Sequence, residues 1–174
     1  MSSIGSSGEY TALMAALHGK LSPSGKLVTT ALDTGTWFGM NVPSDAFPYI
    51  DQLNIMAYDG DAPHSPYELA ANGIKYWTGR GYPKAKINIG VPFYGRMNTD
   101  WNKEISYKAL VAKDPAAAYL DAYGGYNYNG IPTIQKKTQL AMQQVGGIMI
   151  WELAQDASGP NSLLSAIYGQ LSTP

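Results

Sequence analysis

Three short apolar runs, each ending in aromatic and acidic residues, constrain the fold of this chain more than any other feature. They are QLNIMAYDGD (52–61), KINIGVPFYGR (86–96) and GGIMIWELAQD (146–156). Each run is too short for a helix and apolar on both alternating faces, which is typical of a strand buried on both sides in a parallel sheet. Because parallel strands place their carboxyl ends on one face, where ligands bind in α/β folds, we expect the polar ends to meet at one site.

Helical patterns alternate with strand patterns along the rest of the chain. After a flexible Ser/Gly leader (1–9), apolar spacing and turn signals predict strands at 26–32, 53–58, 86–93 and 147–151, and helices at 10–21, 65–81, 105–113, 132–145 and 161–171. Ser65, Pro66 and Glu68 form a capping-box pattern, and the loop after the first strand carries Trp37 and Phe38. The alternation predicts an α/β fold in one domain (10–174), with four β-α units on a parallel sheet, half the number in a closed (β/α)8 barrel.

Composition excludes several kinds of partner and site. The 12 basic against 13 acidic residues give a net charge of -1, which argues against a broad basic surface for nucleic acid or anionic lipid. The absence of cysteine excludes disulfides and thiol chemistry, and neither His18 nor His64 has a metal-ligand companion, so we predict no metal or cofactor. We find no membrane span or signal peptide and expect no membrane partner and an unexported chain. The 13 tyrosines and 4 tryptophans fit either sugar-stacking rings or a tyrosine-rich core.

The end of the second strand supplies the first candidate site residues. Met56 and Tyr58 share one face of the strand, and Asp59 follows at its mouth. A phenol beside a carboxylate can donate a hydrogen bond to a ligand carbonyl while the acid orients it. Alternatively, Tyr58 anchors the loop through its hydroxyl.

The ends of the third and fourth strands supply the other candidates. Tyr94 and Arg96 flank Gly95, which permits close approach of a ligand or a sharp turn, and Arg96 is equally suited to a structural ion pair. Trp151 is either a core ring or a floor on which a ligand stacks. Glu152 is either a ligand contact or a loop anchor.

In order and spacing, these runs resemble the catalytic barrel of glycoside hydrolase family 18, the chitinases and related endo-β-N-acetylglucosaminidases. LNIMAYD resembles the sixth strand of that barrel, GVPFYGR the seventh, GGIMIWEL the eighth and KLVTTAL the fifth. The resemblance extends from Tyr10 to Leu171. It implies a fold like the C-terminal half of a TIM barrel, a partner that is chitin or an N-acetylglucosamine oligosaccharide, and a secreted parent enzyme.

The resemblance also implies roles for the strand-end residues. The equivalent of Tyr58 donates a hydrogen bond to the N-acetyl carbonyl of the sugar at the cleavage site. Met56 and Asp59 line the same pocket, and the equivalent of Trp151 forms its floor, while the residues on either side of Gly95 match a motif near the substrate groove. In this family the acetamido group of the substrate is the nucleophile, and the enzyme supplies one acid/base.

The chain departs from the family in its catalytic acid. The family's D-x-x-D-x-D-x-E motif, on the fourth strand, occurs nowhere in the 174 residues, and the only acid before Tyr10 is Glu9. We therefore expect no catalytic residue in this chain, only supporting roles for Tyr58 and Asp59. Loss of a positioned proton donor costs roughly 10²–10⁴-fold in rate, so we expect the isolated chain to be inactive. Glu152 is disfavoured as a substitute, because its equivalent lies across the barrel from the missing Glu.

The segment 98–130 is a second departure. It is predicted to form a helix and a turn, too short for the α+β insertion that many family members carry between the seventh and eighth strands. Without that insertion we expect a shallower substrate groove.

Three interpretations of the whole chain remain open. The first is the C-terminal half of a family 18 domain. The second is a half-barrel whose open, apolar sheet edges pair with those of a second copy. The third is a catalytically inactive module that binds N-acetylglucosamine oligomers.

Overall fold

The computed structural model describes residues 7–36 and 39–171. The helices are α1 (Ser7–Leu21), α2 (Tyr67–Gly79), α3 (Tyr107–Lys113), α4 (Ile131–Gln144) and α5 (Leu163–Leu171). The strands are β1 (Thr29–Leu32), β2 (Gln52–Ile55), β3 (Ile87–Pro92), β4 (Tyr94–Met97), β5 (Asp100–Ser106), β6 (Ala122–Tyr123), β7 (Tyr126–Asn127) and β8 (Gly147–Trp151). Within these residues the strands form two sheets, in the orders β1-β2-β3-β8 and β5-β4-β7-β6.

The N-terminal helix begins earlier than its sequence pattern suggests. It starts at Ser7 rather than Tyr10, so the helix takes in the end of the segment 1–9 that was expected to be a leader. Residues 1–6 lie outside the described range, and so do Trp37 and Phe38 of the predicted loop. None of the described helices combines the length and apolarity needed to cross a bilayer.

The first sheet is parallel throughout, which confirms the predicted α/β architecture. Leu32 pairs with Ile55 across β1 and β2, and Ile55 pairs with Ile89 across β2 and β3. The central strand β3 is the most buried, with Ile87, Ile89 and Val91 fully enclosed. It is buried because α2 and α4 pack against it from the outside.

Among the described residues, β1 and β8 each have one neighbour in this sheet. Residues 147–150 of β8 are half-buried, and Trp151 at its end is 57% exposed. An edge strand presents unpaired N–H and C=O groups to which a further strand can bond. Within the described residues, the parallel sheet is therefore open at both sides.

The second strand is shorter than predicted. The Met56 N–H still donates to the Leu32 carbonyl of β1 at 2.8 Å, but the Ala57 N–H donates back to the Ile55 carbonyl at 2.9 Å, and the chain leaves the sheet. Asp59 then takes the left-handed conformation, with φ of 58°. The prediction of a strand as far as Tyr58 is wrong, and these residues form a turn at the carboxyl end of β2.

The predicted capping box at Ser65 is also wrong. Helix α2 follows Pro66, and no side chain caps its first turn. The Ser65 hydroxyl instead donates a 2.7 Å hydrogen bond back to the Ala57 carbonyl. Ser65 thus closes the loop 57–65, which carries Tyr58 and Asp59.

The segment between β3 and α4 corrects a further expectation. The predicted helix is present as α3, and the predicted turn lies between β6 and β7, but the segment also contributes strands to the antiparallel sheet β5-β4-β7-β6 that the sequence did not predict. The longest of these strands, β5, is mostly exposed and carries the polar sequence DWNKEIS, so it has no apolar alternation that would reveal it. Backbone pairing with β4 holds it in place, and the shallower groove stays a prediction.

Candidate functional site

The candidate site lies where the carboxyl ends of β2, β3 and β8 meet the antiparallel sheet. Pro92 pairs with Trp151, and the Phe93 N–H donates to the Trp151 carbonyl at 2.8 Å, so the ends of β3 and β8 are level. Tyr94 follows directly and begins β4. The antiparallel sheet therefore begins at the carboxyl end of β3, beside the turn that follows β2.

Asp59 is the centre of this site. Arg96 donates from Nε to Oδ1 at 2.9 Å and from Nη2 to Oδ2 at 3.0 Å, a bidentate ion pair. The Tyr94 hydroxyl donates to Oδ1 at 2.7 Å. The structure thus brings together three of the predicted site residues, from the turn after β2 and from β4.

These contacts keep Asp59 negatively charged. Partial burial by itself would raise the pKa of the Asp59 carboxyl, but the neighbouring His64 and the hydrogen bonds from Arg96 and Tyr94 hold it well below its usual range. Burial, together with the bond to Asp59, raises the pKa of the Tyr94 hydroxyl well above its ordinary value. At neutral pH Asp59 is therefore an anchored anion, and it has no proton to donate in catalysis.

Tyr58 stands beside this cluster with its hydroxyl unengaged. Its ring lies edge-on to that of Tyr94, with centroids 6.2 Å apart, and its hydroxyl makes no hydrogen bond to any residue that the structure describes. Burial, reinforced by the charge of Asp59, raises the pKa of Tyr58 to about 12. The hydroxyl is therefore a protonated donor at neutral pH. Because it bonds to none of the described residues, it does not anchor the loop in this structure.

Gly90 makes room for the Tyr58 ring, a function that the sequence did not reveal. A Cβ atom at this position of β3 would lie 3.0 Å from Cε1 of Tyr58 and 2.9 Å from the Met149 methyl, and it would collide with the Ile55 carbonyl. The missing side chain therefore lets the tyrosine lie against the sheet. Its signal in the sequence is a glycine inside an apolar strand.

The remaining predicted residues lie apart from Asp59. Met56 is half-buried in the turn after β2, while Trp151 and Glu152 lie exposed at the end of β8 and are joined by a cis peptide bond. Within the described structure, neither Trp151 nor Glu152 shares a hydrogen bond, ion pair or ring contact with the Asp59 cluster. At 57% exposure Trp151 is not a core ring of the described structure, and its use as a stacking floor stays a prediction.

His64 belongs to the site, although the sequence suggested no role for it. It is only 1% exposed, and its Nδ1 lies 3.6 Å from Oδ1 of Asp59. Its ring lies 5.3 Å from that of Tyr94, and its Nε2 is buried with no hydrogen-bond partner among the described residues. The separation of five residues from Asp59 was visible, but the loop that brings the two together was not.

Two residues of β5 complete the surroundings of Arg96. Glu104 pairs with Arg96 in the antiparallel register and places Oε2 at 3.3 Å from Nη1. The Trp101 ring, 41% exposed, lies with its centroid 5.6 Å from the Arg96 guanidinium. Sequence analysis missed both because it did not predict the strand that carries them.

The described side chains offer no group of three or more His, Cys, Asp or Glu residues arranged to hold a metal ion. What the site offers is one protonated phenol with a free donor, an anchored carboxylate–guanidinium pair and an exposed indole. These groups can hold a neutral, polar ligand with an apolar face.

Comparison with known proteins gives one consistent family. The profile of the family described as Glycosyl hydrolases family 18 matches residues 5–156. Endochitinase 1 of Metarhizium robertsii is 27% identical over 172 aligned residues, which cover 72% of this chain and 40% of that protein. Chitinase 63 of Streptomyces plicatus is 29% identical over 168, covering 71% of this chain and 27% of that protein.

Solved structures agree with the sequence comparison. The GH18 chitinase ChiB from the chitin utilization locus of Flavobacterium johnsoniae superposes with a TM-score of 0.86 at 38% identity, covering 92% of this chain and 55% of that one. A chitinase from Bacteroides thetaiotaomicron gives 0.83 at 25% identity, covering 99% and 61%. The chain thus spans between about a quarter and about two thirds of the proteins it matches.

Proposed function

Since the chain belongs to glycosyl hydrolase family 18, we propose that it carries the sugar-holding part of a chitinase-type active site and binds N-acetylglucosamine oligosaccharides. The observation that carries this proposal is the free Tyr58 hydroxyl beside the anchored Asp59. A class V chitinase from Nicotiana tobaccum, which shares the fold at 18% identity with a TM-score of 0.72, was crystallised in complex with NAG4.

Each group at the site has a task in this proposal. Tyr58 donates a hydrogen bond to the acetamido carbonyl of the bound sugar, and the fixed charge of Asp59 favours the positive charge that develops beside it. Tyr94 and Arg96 hold Asp59 in place, and Trp151 offers its exposed face to the apolar face of a sugar ring. Met56 and Glu152 flank the same strand ends.

In the family's substrate-assisted reaction, the acetamido oxygen attacks the anomeric carbon while the glycosidic C–O bond breaks. An acid gives its proton to the leaving oxygen, and water then opens the oxazolinium ring. The 174 residues contain no D-x-x-D-x-D-x-E motif to supply that acid. On its own, this chain is therefore a binding unit without hydrolytic activity.

The hydrolytic form requires the acid from further β-α units that complete the barrel. The open edges at β1 and β8 are where those strands would add to the parallel sheet. The chain covers 55% of the ChiB structure, in keeping with a parent that supplies the missing units.

Calorimetric titration with N-acetylglucosamine tetramer tests the binding proposal. We expect Tyr58→Phe to weaken binding by about 3- to 10-fold, the effect of one lost hydrogen bond. We expect Trp151→Ala to weaken it by at least about 10-fold. Tyr119→Phe is the matched control, since Tyr119 is exposed and is not one of the site residues. A chain that binds no tetramer at millimolar concentration, or a Tyr58→Phe variant that binds as well as wild type, would refute the proposal.

A homodimer is a second candidate for the complete assembly, favoured by the two unpaired edges. Two copies would join β1 of one to β8 of the other and close an eight-stranded sheet. Light scattering behind gel filtration tests this directly. A mass of twice 18.7 kDa supports the dimer, and a mass of 18.7 kDa across the accessible concentrations rejects it.

A further inference from the structure

Lys137 is a buried cation with no carboxylate partner. It lies on α4, is 0% exposed, and none of the ion pairs between described residues includes it. Its Nζ donates to the Ser65 carbonyl at 2.9 Å, to the Ser65 hydroxyl at 2.7 Å and to Oδ1 of Asn129 at 2.8 Å. Burying an ammonium group is costly, so a side chain held in this way calls for an explanation beyond packing.

The hydrogen bonds of Lys137 lead to the candidate site. The Ser65 hydroxyl, which accepts from Lys137, donates at 2.7 Å to the carbonyl of Ala57, the residue before Tyr58. The Asn129 amide donates to the Ser65 carbonyl at 2.8 Å and steadies the same residue. A single chain of donors therefore runs from Lys137 through Ser65 to the backbone that carries Tyr58.

The Ser65 hydroxyl is not a nucleophile that Lys137 activates. Ser65 is 2% exposed, and its proton is already donated to the Ala57 carbonyl. A substrate could not reach it without opening the core. The lysine–serine pair acts on the structure around it instead.

The protonation of Lys137 decides how many of these bonds exist. An ammonium group has three N–H donors, which match the three acceptors, whereas a neutral amine has two donors, so one of the three hydrogen bonds from Lys137 is lost. Burial lowers the pKa of Lys137 to about 7, although the nearby charges of Asp121 and Glu68 oppose that shift. Of the groups on the neighbouring elements, His64 adjoins Ser65 in the chain.

We propose that Lys137 is a positioning residue of the sugar site: through the Ser65 hydroxyl it sets the hydrogen bond to the Ala57 carbonyl, and its change of protonation is transmitted to Tyr58 and Asp59. The importance of this coupling for sugar binding rests on the proposed function. The coupling itself is a property of the free chain and can be measured without sugar.

NMR of the uniformly ¹³C,¹⁵N-labelled chain between about pH 5.5 and about pH 9 makes that measurement. The signals to follow are those of the Lys137 side chain, the Ala57 carbonyl carbon, the Tyr58 amide and the His64 ring. We expect the Ala57 and Tyr58 signals to titrate with the midpoint of Lys137. A Lys137 that does not titrate in this range, or Ala57 and Tyr58 signals that do not follow it, would overturn the proposal even without a variant.

Three variants assign the origin of the titration. In Lys137→Met the response of Ala57 should disappear. In Ser65→Ala the response of Ala57 should be lost while Lys137 still titrates, because the link is cut. Lys136→Met, the exposed neighbour on α4, is the matched control and should retain both. An Ala57 response that survives in Lys137→Met or Ser65→Ala would assign the effect to another route and overturn the proposal.

This experiment separates the coupling from the proposed function. A chain that shows the coupling but binds no tetramer contradicts the sugar site and leaves the positioning role in place. A chain that binds the tetramer but shows no coupling supports the sugar site and contradicts the positioning role of Lys137.

Discussion

Arg96 holds Asp59 by both carboxylate oxygens, with Nε 2.9 Å from Oδ1 and Nη2 3.0 Å from Oδ2. The pair joins the turn after β2 to the antiparallel sheet, so the two halves of the candidate site meet through it. An ion pair made by a planar fork is more directional than a single contact with a lysine. Asp59 therefore serves as a fixed charge. We expect its replacement to shift the position of the adjacent Tyr58.

Arg96→Gln should lower the free energy of unfolding by about 1–2 kcal/mol, because it removes a charged, bidentate contact that is partly open to solvent. Urea denaturation measures the change. Lys103→Gln is the control: Lys103 forms a 3.4 Å pair with Asp100 that is largely exposed, and it should change stability by less than about 0.5 kcal/mol. Equal losses in the two variants would contradict a special role for Arg96.

The acid side of the stability profile should report on Asp59. Its pKa is lowered in the folded chain, so its stabilising contribution is complete above the ordinary pKa of 3.8 and is lost as pH falls through the folded value. Measured by urea denaturation, the stability difference between wild type and Asp59→Asn should be constant near neutral pH and narrow below about pH 4. Asp61→Asn, at an exposed position of the same loop, should show no such narrowing. A wild-type advantage that is unchanged down to acid pH would contradict the assignment.

Two tyrosine variants should separate anchoring from ligand contact. Tyr94→Phe removes a 2.7 Å hydrogen bond to a carboxylate and should cost about 1–2 kcal/mol of unfolding free energy. Tyr58→Phe removes a hydroxyl with no partner among the described residues and should change stability by less than about 0.5 kcal/mol. Thermal or urea unfolding measures the loss of stability in both variants. A larger loss in Tyr58→Phe than in Tyr94→Phe would show that Tyr58, not Tyr94, anchors the loop.

Gly90→Ala should destabilise the chain by about 1–3 kcal/mol, because the added methyl group collides with the Ile55 carbonyl and crowds the Tyr58 ring. Gly79→Ala is the matched control, since a Cβ at this end of α2 meets nothing within 4 Å. It should be neutral or stabilise the chain by up to about 1 kcal/mol. If both variants are neutral, β3 has more room beside Tyr58 than the structure shows.

Alkaline conditions should stabilise the chain through Lys137. Its pKa is lowered to about 7 in the folded state, against 10.5 ordinarily, so between these values the unfolded chain binds more protons than the folded one. Stability should therefore rise with pH in this window, by at most about 1.4 kcal/mol per pH unit, and remain at its lower level below it. This rise in unfolding free energy should be absent in Lys137→Met. The control variant Lys136→Met should retain it. A difference in unfolding free energy between wild type and Lys137→Met that does not rise from about pH 7 to about pH 9 would contradict it.

The parallel sheet could be predicted because its strands are apolar on both faces. Runs such as INIGVP are buried on both sides, and this leaves a clear pattern in the sequence. The exposed strand β5 carries no such pattern, because its place is decided by backbone pairing with β4. Local patterns also misplaced Ser65, whose hydroxyl was expected to cap α2 but bonds across the loop to Ala57.

The candidate site was predicted in part for the same reason. Tyr58, Asp59, Tyr94 and Arg96 end apolar strands, so the strand pattern located them, and the structure brings them together. Contacts that depend on the path of a loop or on an unpredicted strand were out of reach. His64 and Trp101 are the examples.

The indole of Trp151 ends a strand whose outer edge is unpaired in the described structure. A strand that pairs with the open edge of β8 would also place side chains beside the Trp151 ring. Affinity for sugar and affinity for the completing strands would then be thermodynamically linked, each strengthening the other by the same factor. A chitin oligomer would then stabilise the association of the added strands with this chain. Dilution, which favours dissociation of the strands, would weaken sugar binding.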